Sequence, residues 1–328
     1  MAANPTNRWP RRRRRLGALA LASFLAANAI ACMQARALLR YGPPGENTPG
    51  IEALTFGQKL RTILLGAQVP RPENRRTPAD LGWDYEVAAI DTAAGPLEAW
   101  VLPGRPDGGV ALLFHGYAAS KESLLPAAAP FRARGYTAVL VDFHGSGGSA
   151  GASTSLGASE AGDVAAALDY ARRIWPGRPL AVYGFSMGSA AAVRALAADP
   201  LAPDALILEA PFDRLLTTVG HRFTAMGLPA APGAELLVFW GSLQAGFNGF
   251  AFNPVEDARR ISSPTLLVHG ADDPRVTADE VRSFAGALRG PSSFVDVAGV
   301  GHEPVSVADP AAWERIAGEF LDSLEPGR

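Results

Sequence analysis

The chain has one cysteine, Cys32, in 328 residues. A disulfide framework and any multi-cysteine metal site are thereby excluded. Methionine is scarce at four, histidine at five, and aromatic residues make up 8%. The low hydrophobicity and high charge that disorder requires are also missing, since 48% of residues are hydrophobic and 19% charged. Glycine (35) and proline (27) are plentiful but aperiodic, which removes a collagen-like reading. No repeat of about 20–50 residues runs along the chain, which removes solenoids and propellers. Acid is absent from residues 1–40, which hold eight arginines. Those eight leave 22 basic against 32 acidic residues elsewhere, a balance of −10. A body of that sign argues against a nucleic-acid partner, which needs a basic surface.

The isolated basic block asks for a targeting explanation. Arg11 to Arg15 precede Leu16 to Ala35, twenty residues without a formal charge. As a helix this stretch reaches about 30 Å, the hydrocarbon thickness of a bilayer. The first expectation is an uncleaved single-pass anchor, with the arginines on the cytoplasmic side and the rest of the chain extracytoplasmic. Two alternatives stand beside it. One is a secreted or periplasmic chain whose signal is cleaved after Ala27-Asn28-Ala29. The other is a lipoprotein signal processed at Cys32, in Ala29-Ile30-Ala31-Cys32.

The chain divides into four parts: a basic segment 1–15, a transmembrane or signal segment 16–35, a linker with an amphipathic helix 36–82, and a body 83–328. Tyr41 to Gly50 is turn-rich, Ile51 to Gly66 has helical spacing of apolar residues, and Pro70 to Pro78 is a polar break. Within the body, strands are expected over Tyr85–Asp91, Leu97–Leu102, Val110–Phe114, Thr137–Val141, Leu180–Tyr183, Ala205–Leu208, Thr265–Val268 and Ser293–Val297. Several are continuously apolar, as strands buried on both faces of a parallel sheet are. Helices are expected over Lys121–Arg134, Ser159–Ile174, Met187–Ala198, Ala278–Leu288 and Ala311–Leu324. This alternation indicates an α/β fold with a mostly parallel sheet. Residues 213–260 break the rhythm, carry Phe223, Phe239, Trp240, Phe247, Phe250 and Phe252, and are expected to form a cap over one end of the sheet.

Gly184-Phe185-Ser186-Met187-Gly188 is the strongest chemical signal. It sits between an apolar strand and an Ala-rich helix, the context that G-x-S-x-G requires. The turn pushes the Ser186 hydroxyl into the open, and the new helix aims amides where an oxyanion forms. A serine hydroxyl needs a base. Among His115, His144, His221, His269 and His302, the last lies in a Gly-rich loop after the final strand, where it can reach the sheet edge. The others read as structural residues or, for His221, as a residue of the cap. The base needs an acid. Asp272 and Asp273 both follow the seventh strand, and spacing alone leaves them level. Asp163, Asp169 and Asp199 have no ligand-like spacing and read as helix-surface or capping residues; no metal site is expected.

Residues 83–324 resemble an α/β-hydrolase, with an eight-stranded, mostly parallel sheet, helices on both faces and a small cap. The subgroup resembled is that of membrane-associated α/β-hydrolase-domain lipases and serine aminopeptidase-like esterases. His115-Gly116-Tyr117 is similar to the family's HG loop, and Asp142 to Ser149 to its D-x-R-G-x-G-x-S loop, with His144 in place of Arg. His269 to Val276 matches H-G-x-x-D-x-x-V, and Gly301-His302 its G-H motif. The resemblance implies Ser186 as nucleophile, His302 as base and Asp273 as acid, with the amides of Tyr117 and Met187 as the oxyanion hole. It implies an acyl-enzyme and no cofactor. The apolar cap and the adjacent anchor favour a hydrophobic, lipid-like ester. Peptide cleavage, with Glu209 or Glu235 holding a substrate amine, is an alternative, as are thioester cleavage or acyl transfer and a non-catalytic binding scaffold.

Overall fold

The computed structural model describes residues 9–45, 55–198 and 202–324. The first helix, α1, is Trp9–Leu39. It includes the basic block and extends beyond Ala35, so the expected boundaries at 15 and 35 are not structural breaks. Its stretch Arg13–Leu39 is long and apolar enough to cross a membrane. A short helix α2, Phe56–Leu65, starts after Thr55, whose hydroxyl and Gln58 form a capping box. Residues 46–54 of the expected linker and helix, and Asp199, lie outside the described residues.

The strands are β1 Glu86–Ile90, β2 Leu97–Leu102, β3 Val110–Phe114, β4 Thr137–Val141, β5 Leu180–Phe185, β6 Ala205–Glu209, β7 Thr265–Gly270 and β8 Ser292–Val297. They form one sheet in the order β1-β2-β4-β3-β5-β6-β7-β8. β2 pairs antiparallel with β1 and β4; every later pairing is parallel. Every residue of β3, β4, β6 and β7 is buried, because helices cover both faces. Alternation along each strand decides which core a side chain joins. Leu112 and Phe114 meet α4 (Glu160–Ile174) and α5 (Met187–Ala198) through Val164, Leu168 and Val193. Ala111 and Leu113 meet Phe131, Trp313 and Ile316 on the other face.

One expected helix is interrupted. Lys121–Arg134 is a 3-10 turn, Lys121–Leu124, followed by a short α3, Ala129–Ala133. Pro126 and Pro130 lack the N–H that a continuous helix would use there. Residues 213–260 hold α6 (Leu215–Ala225), α7 (Gly233–Ala245) and α8 (Pro254–Ala258). Phe252 and Val238 are buried within this part, whereas Phe239, Leu243 and Phe250 are exposed. Helices α9 (Ala278–Ala287), α10 (Val305–Ala308) and α11 (Pro310–Ser323) complete the chain.

The two ends of α1 differ in surroundings. Leu16, Leu19, Leu21, Phe24 and Leu25 are each more than half exposed, but Ala31, Ala35 and Leu39 are buried. That second half lies on α7, where the Trp240 Nε1–H donates to Asn28 Oδ1 (3.2 Å) and Gln244 Nε2 donates to the Cys32 carbonyl (3.0 Å). Gln34 donates to the carbonyls of Thr62 (2.8 Å) and Ile63 (2.7 Å) in α2.

Candidate active site

The β5–α5 turn is tight enough to require its glycines. A Cβ on Gly184 would stand 2.6 Å from the Gly188 backbone, and one on Gly188 would stand 2.5 Å from the Phe114 carbonyl oxygen. Both distances are closer than real Cβ contacts permit, so the start of α5 can lie against the end of β3 only with glycine at both positions. Ser186 itself has φ +51°. A non-glycine residue in that region is strained, and the surrounding structure must hold it. Part of the hold is the Ser186 N–H, which donates to the Glu209 carbonyl at 2.8 Å.

The Ser186 hydroxyl lies 3.0 Å from His302 Nε2. His302 Nδ1 lies 2.7 Å from Asp273 Oδ2. The other oxygen of Asp273 accepts the amides of Arg275 (2.7 Å) and Val276 (3.1 Å). Burial alone would raise the Asp273 pKa, but the bonds from His302 and the two amides outweigh it and hold it below the ordinary carboxylate range. Asp272 is exposed, and its side chain makes no bond to His302 among the described residues. The hydrogen-bonded chain thus runs from serine to histidine to the second aspartate of the pair.

Met187 opens α5, and the first amides of a helix have no intrahelical carbonyl to serve. The HG loop sits beside it, because Gly188 contacts the carbonyls of Phe114 and His115. Tyr117 is fixed from an unexpected direction. Its hydroxyl donates to the carbonyl of Leu38 in α1 (2.8 Å), and the next amide, of Ala118, donates to the Tyr41 hydroxyl (3.4 Å). Burial pushes the Tyr117 hydroxyl pKa up to about 12, with Arg222 opposing the rise.

Each remaining histidine has a partner. Buried His115 accepts the Phe143 amide at Nε2 (3.1 Å), and burial lowers its pKa. His269 bridges Asp296 and the Val276 carbonyl, both at 2.8 Å. His221 donates to the Arg275 carbonyl (2.9 Å). His144 bonds Asp163 at 2.7 Å, and this bond above all raises its pKa. Asp163 is therefore a buried partner and not the surface or capping residue expected for it.

The structural roles of two sets of residues went unseen in the sequence. Asp142 of the loop after β4 is fully buried and receives the amides of Lys121 (2.6 Å) and Gly148 (3.0 Å), the Asn74 side chain (2.9 Å) and the Lys121 ammonium. Lys121, also fully buried, reaches Glu98 as well (2.7 Å). Glu209, expected as a possible holder of a substrate amine, is buried with both oxygens engaged. They accept the Tyr183 hydroxyl (2.6 Å) and the Val305 amide (2.5 Å). For Asp142 and Glu209 the sequence cue is a carboxylate at the end of an apolar strand. Glu235 lies exposed on α7.

Two cavities lie near the His115-Gly116-Tyr117 loop. One of about 40 Å³ is lined by Ala35, Leu38 and Leu39 of α1, Leu215 and Val219 of α6, and Leu237 and Val238 of α7, among others. The other, of about 100 Å³, lies among Gly116, Tyr117, Tyr183, Phe185 and Pro304.

Residues 105–233 match the family model described as serine aminopeptidase, S33. The chain is 28% identical over 207 residues to the lysophosphatidylserine lipase ABHD12 of Bos taurus, covering 59% of this chain and 50% of that protein. It is 28% identical over 265 residues to an uncharacterised protein of Mycobacterium tuberculosis (strain ATCC 25618 / H37Rv), covering 79% and 86%. The chain spans about half the length of the lipases it matches. Among solved structures, a Pyrococcus furiosus esterase has a TM-score of 0.65 at 24% identity, covering 77% of this chain and 96% of that one. A membrane phospholipase A described as a bacterial virulence factor has a TM-score of 0.55 at 22%, covering 74% and 87%. At these identities the structural likenesses speak for the fold.

Proposed function

We propose that the chain is a serine hydrolase of the α/β-hydrolase superfamily, cleaving carboxylic esters with a lipid-like acyl group. The observation that carries the reading is the unbroken hydrogen-bonded chain Ser186–His302–Asp273 at a strained elbow. Ser186 Oγ attacks the ester carbonyl carbon and gives its proton to His302 Nε2. Asp273 holds the imidazole through Nδ1 and stabilises the cation. The carbonyl electron pair moves onto oxygen, which the amides of Met187 and Tyr117 receive. The C–O bond to the alcohol breaks as His302 returns the proton to it. Water then adds to the acyl-enzyme by the same steps, releasing the acid and restoring Ser186.

The hydrophobic acyl group is supported by the apolar cavity between α1, α6 and α7, and by the curated relatives named as lipases. The family model's description favours a peptidase on the same triad. Against it, Glu209 is enclosed and bonded, and cannot receive a substrate amine.

The first helix is read as a retained anchor with its arginines cytoplasmic. Its half-exposed first part suits lipid, and its second part is a wall of the domain. Cleavage near Ala29, or at Cys32, would remove the Asn28 bond to Trp240 and part of the packing on α7. Residues 16–27 span about 18 Å, short of the hydrocarbon thickness. The exposed Phe239 and Leu243 of α7 and Phe56, Leu60 and Ile63 of α2 surround the docked half, and supply an apolar seat for the membrane surface.

A fluorophosphonate probe applied to separated membrane and soluble fractions, with Ser186→Ala alongside, tests the reading. A labelled band in the membrane fraction that vanishes in the variant is expected. Labelling that survives the variant would falsify the nucleophile assignment, and a labelled band confined to the soluble fraction would overturn the anchor.

A further inference from the structure

We propose that Arg222 and Arg275 form a subsite for a phosphate carried by the substrate near its scissile ester. The preferred substrates are then single-chain anionic lipids of the lysophospholipid class. This rests on the esterase reading above.

Arg222 lies in α6, one turn beyond Val219, which lines the apolar cavity. It is half-buried, and its guanidinium stands 5.4 Å from the centre of the Tyr117 ring. Tyr117 contributes one amide of the oxyanion hole, so the cation is placed beside the loop that receives the ester carbonyl. Arg275 belongs to the loop that carries Asp273, and its carbonyl is tied to α6 through His221 at 2.9 Å. The loop of Asp273 and α6 thus meet here, near enough for the charge of Arg275 to act on Arg222.

Neither side chain has a carboxylate or hydrogen-bond partner among the described residues. Two other partly buried arginines are matched. Arg134 holds Asp322 (2.7 Å) and Glu314 (3.1 Å), and Arg71 holds the carbonyls of Gly147 (3.1 Å) and its neighbours. A half-buried guanidinium with no carboxylate partner is unfavourable. Burial lowers the Arg222 pKa, Tyr117 opposes this, and the charge of Arg275 adds to it. An arriving anion relieves both effects. A guanidinium fork fits phosphate oxygens in two-point contact, which a lone ammonium does not. A phosphate one glycerol away from the ester reaches this position while its acyl chain follows the apolar wall of α6.

The test uses the full chain in detergent with two esters of equal acyl length, lysophosphatidylglycerol and uncharged monoacylglycerol. Wild type is expected to prefer the anionic ester in kcat/KM. Arg222→Gln should lower the anionic ester's value about ten- to a hundredfold more than the neutral ester's. Arg222→Lys should restore part, and Arg275→Gln should act in the same direction. Equal loss on both esters would reduce Arg222 to a prop for the Tyr117 ring and overturn the proposal. So would a wild type indifferent to charge. Binding of the two lipids to Ser186→Ala gives a readout without turnover. A preference for the anionic lipid that vanishes with Arg222→Gln supports the subsite even if the ester chemistry is wrong, and equal binding overturns the subsite even if it is right.

Discussion

Glu209→Gln isolates a buried acid behind Ser186. The Glu209 carboxyl is pushed from 4.5 up to about 7 by burial, opposed by the Tyr183 hydroxyl and the Val305 amide. The folded state therefore holds this proton more tightly than the unfolded chain does. The stabilisation is complete below about pH 4.5 and is lost as pH rises through about 7. The rise corresponds to about 3 kcal/mol. Glutamine keeps the shape and is neutral throughout. Its oxygen still accepts Val305, but its amide brings two N–H donors where the protonated carboxyl has one O–H, so one more buried donor goes unpaired beside Tyr183, at a cost of about 1 kcal/mol. The variant should be less stable than wild type at pH 4.5 by about 1 kcal/mol and more stable at pH 8 by about 2 kcal/mol. Thermal unfolding of the detergent-solubilised chain at several pH values reads this as a crossover in Tm. A variant equally destabilised at both ends would refute the reasoning, because it would mean that the two hydrogen bonds carry the ionised carboxylate without strain.

Two further predictions concern charge placement. Asp273→Asn should lower kcat by about 10³- to 10⁴-fold, because the imidazole loses its orientation and its counter-charge. Asp272→Asn should stay within about threefold, and steady-state turnover of a soluble ester distinguishes them; the opposite ranking moves the acid by one residue. Lys121→Met should destabilise the fold by about 3–5 kcal/mol near neutral pH, since it leaves Asp142 as a buried charge without its cation. Although burial raises the Asp142 pKa, Lys121 and His115 bring it below its ordinary value, so the loss should shrink as acid protonates the group. Denaturant titration giving a loss under about 1 kcal/mol would mean that Asn74 and the loop amides carry Asp142 unaided.

The sheet was legible because burial on both faces leaves a continuous apolar run. β2, β3 and β4 begin and end at the expected residues. The elbow was legible for a steric reason: the close approach of Gly184 and Gly188 to their neighbours admits no Cβ, so the glycines mark the turn in any chain that builds it. Aspartate neighbours are different. Asp272 and Asp273 have the same chemistry, so spacing left them level and only the H-G-x-x-D-x-x-V resemblance pointed to Asp273, whose carboxylate the turn aims at His302. Where the reading fell short, the deciding contacts cross long stretches of chain. Lys121 and Asp142 are 21 residues apart, Tyr183 and Glu209 26, and Leu38 and Tyr117 79. The last pair changes how the N-terminal helix is understood. Hydropathy can propose a membrane span, but it treats the span as separable from the rest of the chain. A backbone carbonyl at the end of that span accepts a bond from the Tyr117 hydroxyl, and its last buried side chains line the apolar cavity. Composition has no way to register that the same helix is exposed at one end and walls an apolar cavity at the other, because periodicity is a property of one segment and the cavity is made by several.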